Sequence, residues 1–328
     1  MKKFLYKFLL FISPIFLLGY FLDVVLSTQL KKSNLYAEEE YPTWNAVFDG
    51  KVDSDILIFG SSRAWKHIDP TMMGQKLHNS TFNLGIDGHN FWLQYFRYQQ
   101  LLKKNKRPKY IILSLDYFTL KKNKELYNLE QFLPYMLWND EMKEATMSYH
   151  GFSFMDFKIP LLRYYGKFDA IKAVFSLPKN PITRVRGYEG RDEVWNSDFD
   201  IAKSKMKNLY VGLDSATIVL FDKFLKESKK ENIHLIFVYT PEYIEGQQFV
   251  KNRKQIMNLF KNFSSKYSIP FYDYSGDPIC YQRKYFYNAT HLNKTGSEVF
   301  TQKFSDTLQK AAIIEQSPKK GLSDFIKQ

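Results

Sequence analysis

Short runs of consecutive apolar residues recur along this chain, and the intervals between them carry apolar side chains at helical spacing. Asp55-Ile56-Leu57-Ile58-Phe59 runs straight into Gly60-Ser61-Ser62, and stretches 82–86, 110–115, 233–239 and 269–273 have the same character. Continuous apolar runs of this length predict strands of a parallel sheet, buried on both faces. Stretches 90–105, 215–231, 245–266 and 294–312, rich in Lys, Gln, Leu and Phe, predict helices. Strand and helix alternate. The fold class that follows is α/β, a parallel sheet with helices on both faces and a ligand site at the carboxyl ends of its strands.

The N-terminus has a different pattern. Lys2, Lys3 and Lys7 precede the apolar run 8–26, close to the length that spans a bilayer. Its one carboxylate, Asp23, is expected at the outer edge, because an ionised group at the bilayer centre is costly. No small-x-small cleavage site follows, so residues 1–30 read as an uncleaved anchor. The lysines predict an N-terminus inside and residues 31–328 outside a membrane crossed once.

The segment from about 120 to 210 breaks the alternation and reads as an insertion of helices and loops. It holds aromatic groups such as Leu133-Pro134-Tyr135-Met136-Leu137-Trp138 and a polar, glycine-punctuated stretch, 186–198. Such an insertion either walls the strand-end site or packs at the periphery; the pattern leaves both open. The polar tail after about 315 is expected to fray.

Composition narrows the picture only a little. The chain has 328 residues, 45% hydrophobic, and a formal charge of +13 that favours polyanions. The excess is scattered in runs such as 103–107, with no zinc-finger, RRM or helix-turn-helix pattern, so a solvated basic face is preferred to nucleic-acid binding. The single cysteine, Cys280, excludes an intrachain disulfide and a cysteine-based zinc site. His67, His78, His89, His150 and His234 show no ligand spacing, so no metal or cofactor is expected.

Serine becomes a nucleophile only when a base takes its proton and donors meet the developing oxyanion. Ser62 follows the first strand on a turn made possible by Gly60, where a serine capping the next helix would look the same. His291, in Asn288-Ala289-Thr290-His291-Leu292-Asn293, stands just before the last helix.

Three blocks, Ile58-Phe59-Gly60-Ser61-Ser62-Arg63-Ala64, Asn83-Leu84-Gly85-Ile86-Asp87-Gly88 and Thr290-His291-Leu292-Asn293-Lys294-Thr295-Gly296, resemble blocks I, II and V of the SGNH (GDSL-like) hydrolases. The likeness is greatest to the branch that includes the membrane-anchored D-alanyl transfer protein of teichoic acid modification. It implies a flavodoxin-like three-layer sandwich with a parallel five-stranded sheet. It also implies that Ser62 is the nucleophile, His291 its base, and the N–H groups of Gly88 and Ser62 the oxyanion donors. The chemistry implied is acyl-ester hydrolysis or acyl transfer on a cell-surface glycan or acylated polymer, with a multi-spanning acyltransferase as candidate partner.

Two positions depart from the family. The block III Gly-x-Asn-Asp is replaced by Leu113-Ser114-Leu115-Asp116, and the Asp of Asp-x-x-His is Asn288 here. An amide can fix the imidazole tautomer but cannot offset imidazolium charge. Asp116 and Glu242, both at predicted strand ends, are candidate pocket carboxylates that could compensate, or else members of structural salt bridges. The alternative function is a catalytically silent module of the same fold that binds glycan or scaffolds a membrane complex.

Overall fold

The computed structural model describes residues 1–33, 36–88, 91–176 and 184–315; His89 and the tail after 315 lie outside them. Five parallel strands, β1 (Ile56–Phe59), β2 (Thr81–Asn83), β3 (Tyr110–Ser114), β4 (His234–Tyr239) and β5 (Phe271–Asp273), lie in the order β2-β1-β3-β4-β5. Ile56 stands opposite both Thr81 and Tyr110, and Tyr110 opposite His234. This is the flavodoxin-like order, which changes winding direction between β1 and β3 and opens a crevice at their carboxyl ends.

The helices that matter here are α1 (Lys2–Leu30), α2 (Ser62–His67), α3 (Pro70–Leu77), α4 (Phe91–Lys104), α5 (Phe168–Phe175), α6 (Asp198–Lys205), α7 (Ser215–Lys230), α8 (Arg253–Tyr267) and α9 (Lys294–Lys310). Side chains alternate along each strand, so two cores form. Leu57, Phe59, Ile111 and Leu113 pack with α4, α7 and α8 through Tyr98, Phe221 and Phe260. Ile56, Ile58 and Ile112 pack on the opposite face with Ala64, Met73 and Phe300 of α2, α3 and α9. Helices on both faces explain why the strands read as unbroken apolar runs.

Two expected elements differ. The helix expected over 245–266 is broken into Ile244–Phe249 and α8, because Leu209 bridges Val250 and the Asn252 amide bonds both backbone groups of Val211, at 2.9 and 2.8 Å. The strand expected over 82–86 ends at Asn83. Beyond it the carbonyls of Leu84 and Gly85 accept bonds from Arg97, and that of Gly85 another from Arg184.

The chain divides into two compact units, one of Ala46–Lys122 and Thr183–Gln328, which holds the sheet, and one of Met1–Asn45 and Asn123–Ile182. The stretch 120–210 is therefore shared between them. In the second unit, α1 is long and apolar enough to cross a bilayer, and Asp23, Ser27 and Leu30 are its buried residues. The Asp23 carboxylate accepts two bonds from the Arg163 guanidinium, each 2.7 Å, and a third from Leu161 N–H at 2.6 Å. A charge on an apolar helix needs such a partner, and a bidentate guanidinium supplies it.

Candidate active site

The turn after β1 sets the nucleophile's position. Gly60 has φ +150°, and a Cβ there would lie 2.8 Å from the Cβ of Ala64 and from the Cβ and carbonyl oxygen of Ser114, so the turn needs glycine. Ser61, not Ser62, caps α2: its Oγ accepts the Arg63 N–H at 3.2 Å and donates to the Asp116 carboxylate. With capping assigned to Ser61, the Ser62 hydroxyl is left for other work. It lies 2.8 Å from Nε2 of His291.

Around His291 the polar groups form a chain. Nδ1 is 3.1 Å from both Asn288 Oδ1 and Thr290 Oγ1. Asn288 Oδ1 also accepts the N–H groups of Thr290 and His291, at 3.1 and 2.9 Å, which fixes the oxygen toward the ring. The amide nitrogen then points away and donates to Asp198 Oδ2 at 3.2 Å. An oxygen facing Nδ1 favours the proton on Nδ1, leaving Nε2 free to take one from Ser62. The Tyr287 ring lies parallel to the imidazole at 5.3 Å, tilted only 3°.

Asp198, at the start of α6, is reached by the strap 184–198. This stretch runs along the strand-end rim: Asn83 N–H bonds Arg186 O, Lys294 N–H bonds Arg191 O and Asn196 N–H bonds Tyr287 O. Trp195 packs edge-on against Tyr243 at 4.9 Å. The polar end of the expected loop was the only sign of Asp198 in the sequence.

The second block is held to the first by Asn83. Its amide donates to the carbonyls of Ala64 and Ile68, both at 2.9 Å, and its Oδ1 accepts the Gly85 N–H at 3.0 Å. Gly88 takes the left-handed φ of +88°, and its N–H donates to Asp87 Oδ1 at 2.8 Å. The amide that the resemblance assigns to the oxyanion is thus engaged by its neighbour's carboxylate.

Asp116 and Glu242 are placed behind the nucleophile turn, sealed from solvent rather than lining an open pocket. Arg63 Nη1 lies 3.0 Å from Asp116 and 3.8 Å from Glu242, with all three side chains at most 1% exposed. Arg253 also pairs with Glu242, at 3.1 Å, and the Tyr239 ring sits between the two guanidiniums at 4.6 and 4.5 Å. Two cations balance two anions. Burial raises the Asp116 carboxyl to about 6 against the opposing pull of Arg63 and Ser61. Arg63 bore no signal in the sequence beyond its place beside Ser62, and the partners that make it structural come from two other strand ends, Asp116 after β3 and Tyr239, Thr240 and Glu242 at the end of β4.

His67, on α2, is buried and bonded on both nitrogens, Nδ1 to Thr240 Oγ1 at 2.8 Å and Nε2 to the Leu292 N–H at 3.0 Å. Burial first, then the charge of Arg63, holds its imidazole well below the ordinary range, so it stays neutral. By accepting from Leu292 it braces the backbone next to His291. Among the described residues no group of three or more His, Cys, Asp or Glu side chains could hold a metal ion.

No family model matches the chain, and no curated protein matches its sequence. Two of the solved structures that resemble it come from Bacteroides species. A GDSL-like lipase from Bacteroides thetaiotaomicron, 12% identical, aligns over 83% of this chain and 97% of its own with a TM-score of 0.36. An acylhydrolase described as putative, from Bacteroides fragilis and 14% identical, aligns over 83% and 96% with the same TM-score.

Proposed function

We propose that this chain is a membrane-anchored serine hydrolase or O-acyltransferase of the SGNH kind, acting on ester-linked acyl groups of a cell-surface glycan or polymer. The observation that supports it is the 2.8 Å approach of Ser62 Oγ to His291 Nε2, with Nδ1 turned to an acceptor. In the reaction, His291 Nε2 takes the Ser62 proton as Oγ attacks the acyl carbonyl, and the leaving alkoxide recovers that proton as the acyl-serine forms. Water or a sugar hydroxyl then releases the acyl group by the reverse proton path. The acceptor decides between hydrolase and transferase.

The finer reading places the acceptor on a surface polymer, in the manner of the D-alanyl transfer branch, with a multi-spanning acyltransferase beside α1. The apolar helix and the basic charge of +13 support an outward-facing domain near anionic polymer. A fluorophosphonate probe tests the core of the proposal: wild type labels, Ser62→Ala does not, and a folded wild type that never labels refutes it.

A second reading, the silent module that binds glycan, is favoured by two observations. Asn288 stands where a carboxylate would offset imidazolium charge, and the Gly88 N–H is engaged by Asp87. The same labelling experiment separates the two.

A further inference from the structure

The unit made of Met1–Asn45 and Asn123–Ile182 presents large apolar side chains in the open. Phe168 and Phe175, at the two ends of α5, are 70% and 81% exposed, and Tyr165 just before them is 87% exposed. Trp138, Ile159 and Leu162 are exposed as well. In water such a set is unfavourable, and it marks a surface that something covers.

Contacts with α1 fix the level of these residues. Trp138 stacks on Tyr20 with ring centroids 5.0 Å apart, and a Cβ on Gly19 would lie 4.0 Å from the Cβ of Pro160. The Asp23–Arg163 pair locks the same segment one turn further along. The apolar run of α1 ends at Leu26, so Gly19 lies about 10 Å short of that end at about 1.5 Å per helical residue. Protein surface at that depth beside a spanning helix meets acyl chains and the headgroup boundary rather than bulk water. Exposed aromatic rings suit that boundary, while Lys158, Lys167 and Lys172 on the same segment are paired with Asp140, Glu130 and Asp169.

We infer that the segment 136–176 is an interfacial foot, with α5 lying in the outer leaflet at the interface and its apolar side chains covered by lipid. This rests on α1 spanning the membrane. The foot would hold the first unit at a set depth, with the lipid interface, rather than a protein, as the partner of its apolar face.

The test uses the full chain in phosphatidylcholine–phosphatidylglycerol vesicles with brominated acyl chains. Cys280 is buried, so fluorophores can be placed on Phe168→Cys, Phe175→Cys and Leu17→Cys in α1, each compared with the same labelled chain in vesicles without bromine. The expected result is loss of emission at positions 17, 168 and 175. Quenching at 17 with none at 168 and 175 overturns the foot and leaves the span standing. Labels at 168 and 175 shielded from aqueous iodide yet unquenched by bromolipid mean that protein covers the face, which also overturns the lipid assignment. No quenching at 17 removes the spanning helix and the foot with it.

Discussion

Ser62 Oγ and His291 Nε2 lie 2.8 Å apart although 229 positions separate them in the chain. Groups that work as one unit lose activity together. Ser62→Ala, His291→Ala and the double variant are each expected to reduce the acylation rate by nearly the same factor, on the order of a thousandfold or more. Stopped-flow ester turnover measures it, and losses that multiply in the double variant would count against a coupled pair.

Asn288 holds the imidazole but brings no charge to it. In Asn288→Asp the carboxylate would keep the bonds to the N–H groups of Thr290 and His291 and add a negative charge beside Nδ1. About tenfold faster acylation is expected. A simultaneous Asp198→Asn change, which removes the repulsion created at the old Asn288 Nδ2 contact, should raise it further. Rates measured against pH would show both.

Asp87 engages the Gly88 N–H at 2.8 Å. A carboxylate there competes with a developing oxyanion for the same donor and repels it, so Asp87→Ala should speed acylation by a few-fold up to about a hundredfold. Unchanged kinetics would mean that Gly88 does not meet the oxyanion.

Arg63 stands between Asp116 and Glu242 in a region without water access. Arg63→Met leaves two buried carboxylates with one cation, Arg253, and should destabilise the sheet unit by about 3–5 kcal/mol in urea unfolding. Adding Asp116→Asn should restore a large part of that loss, since it returns the cluster to charge balance.

His67 stays neutral in the folded protein, packed near the cations of Arg63 and Lys66 and the ring of His291. The unfolded chain protonates this imidazole near 6.5, so below that pH it binds more protons than the native state and stability falls with acid. The contribution is fully present above 6.5. The melting-temperature advantage of wild type over His67→Gln should therefore shrink as pH drops from about 7.5 to about 5. An advantage that grows with acid would contradict a depressed His67.

The alternation of apolar runs and helical stretches made the α/β fold legible, because a strand covered on both faces must be apolar at every position and a covering helix at every third or fourth. Gly60 and the position of Ser62 after β1 were legible for the same local reason: a sharp turn leaves its mark in composition. The break at 250–252 was not, since it depends on Leu209 and Val211 arriving from forty residues away.

Which serine caps α2, which carboxylates Arg63 neutralises, and which groups lie around the two nitrogens of His291 were decided only by tertiary structure. So was the division of the 120–210 stretch, part of it gathered around Asp23 by Arg163 and part strung along the strand ends as far as Asp198. Periodicity records whether a residue faces the core or the solvent. It does not record partners, because a hydrogen bond or ion pair between distant residues leaves no trace in the spacing of either one; only packing brings them within reach.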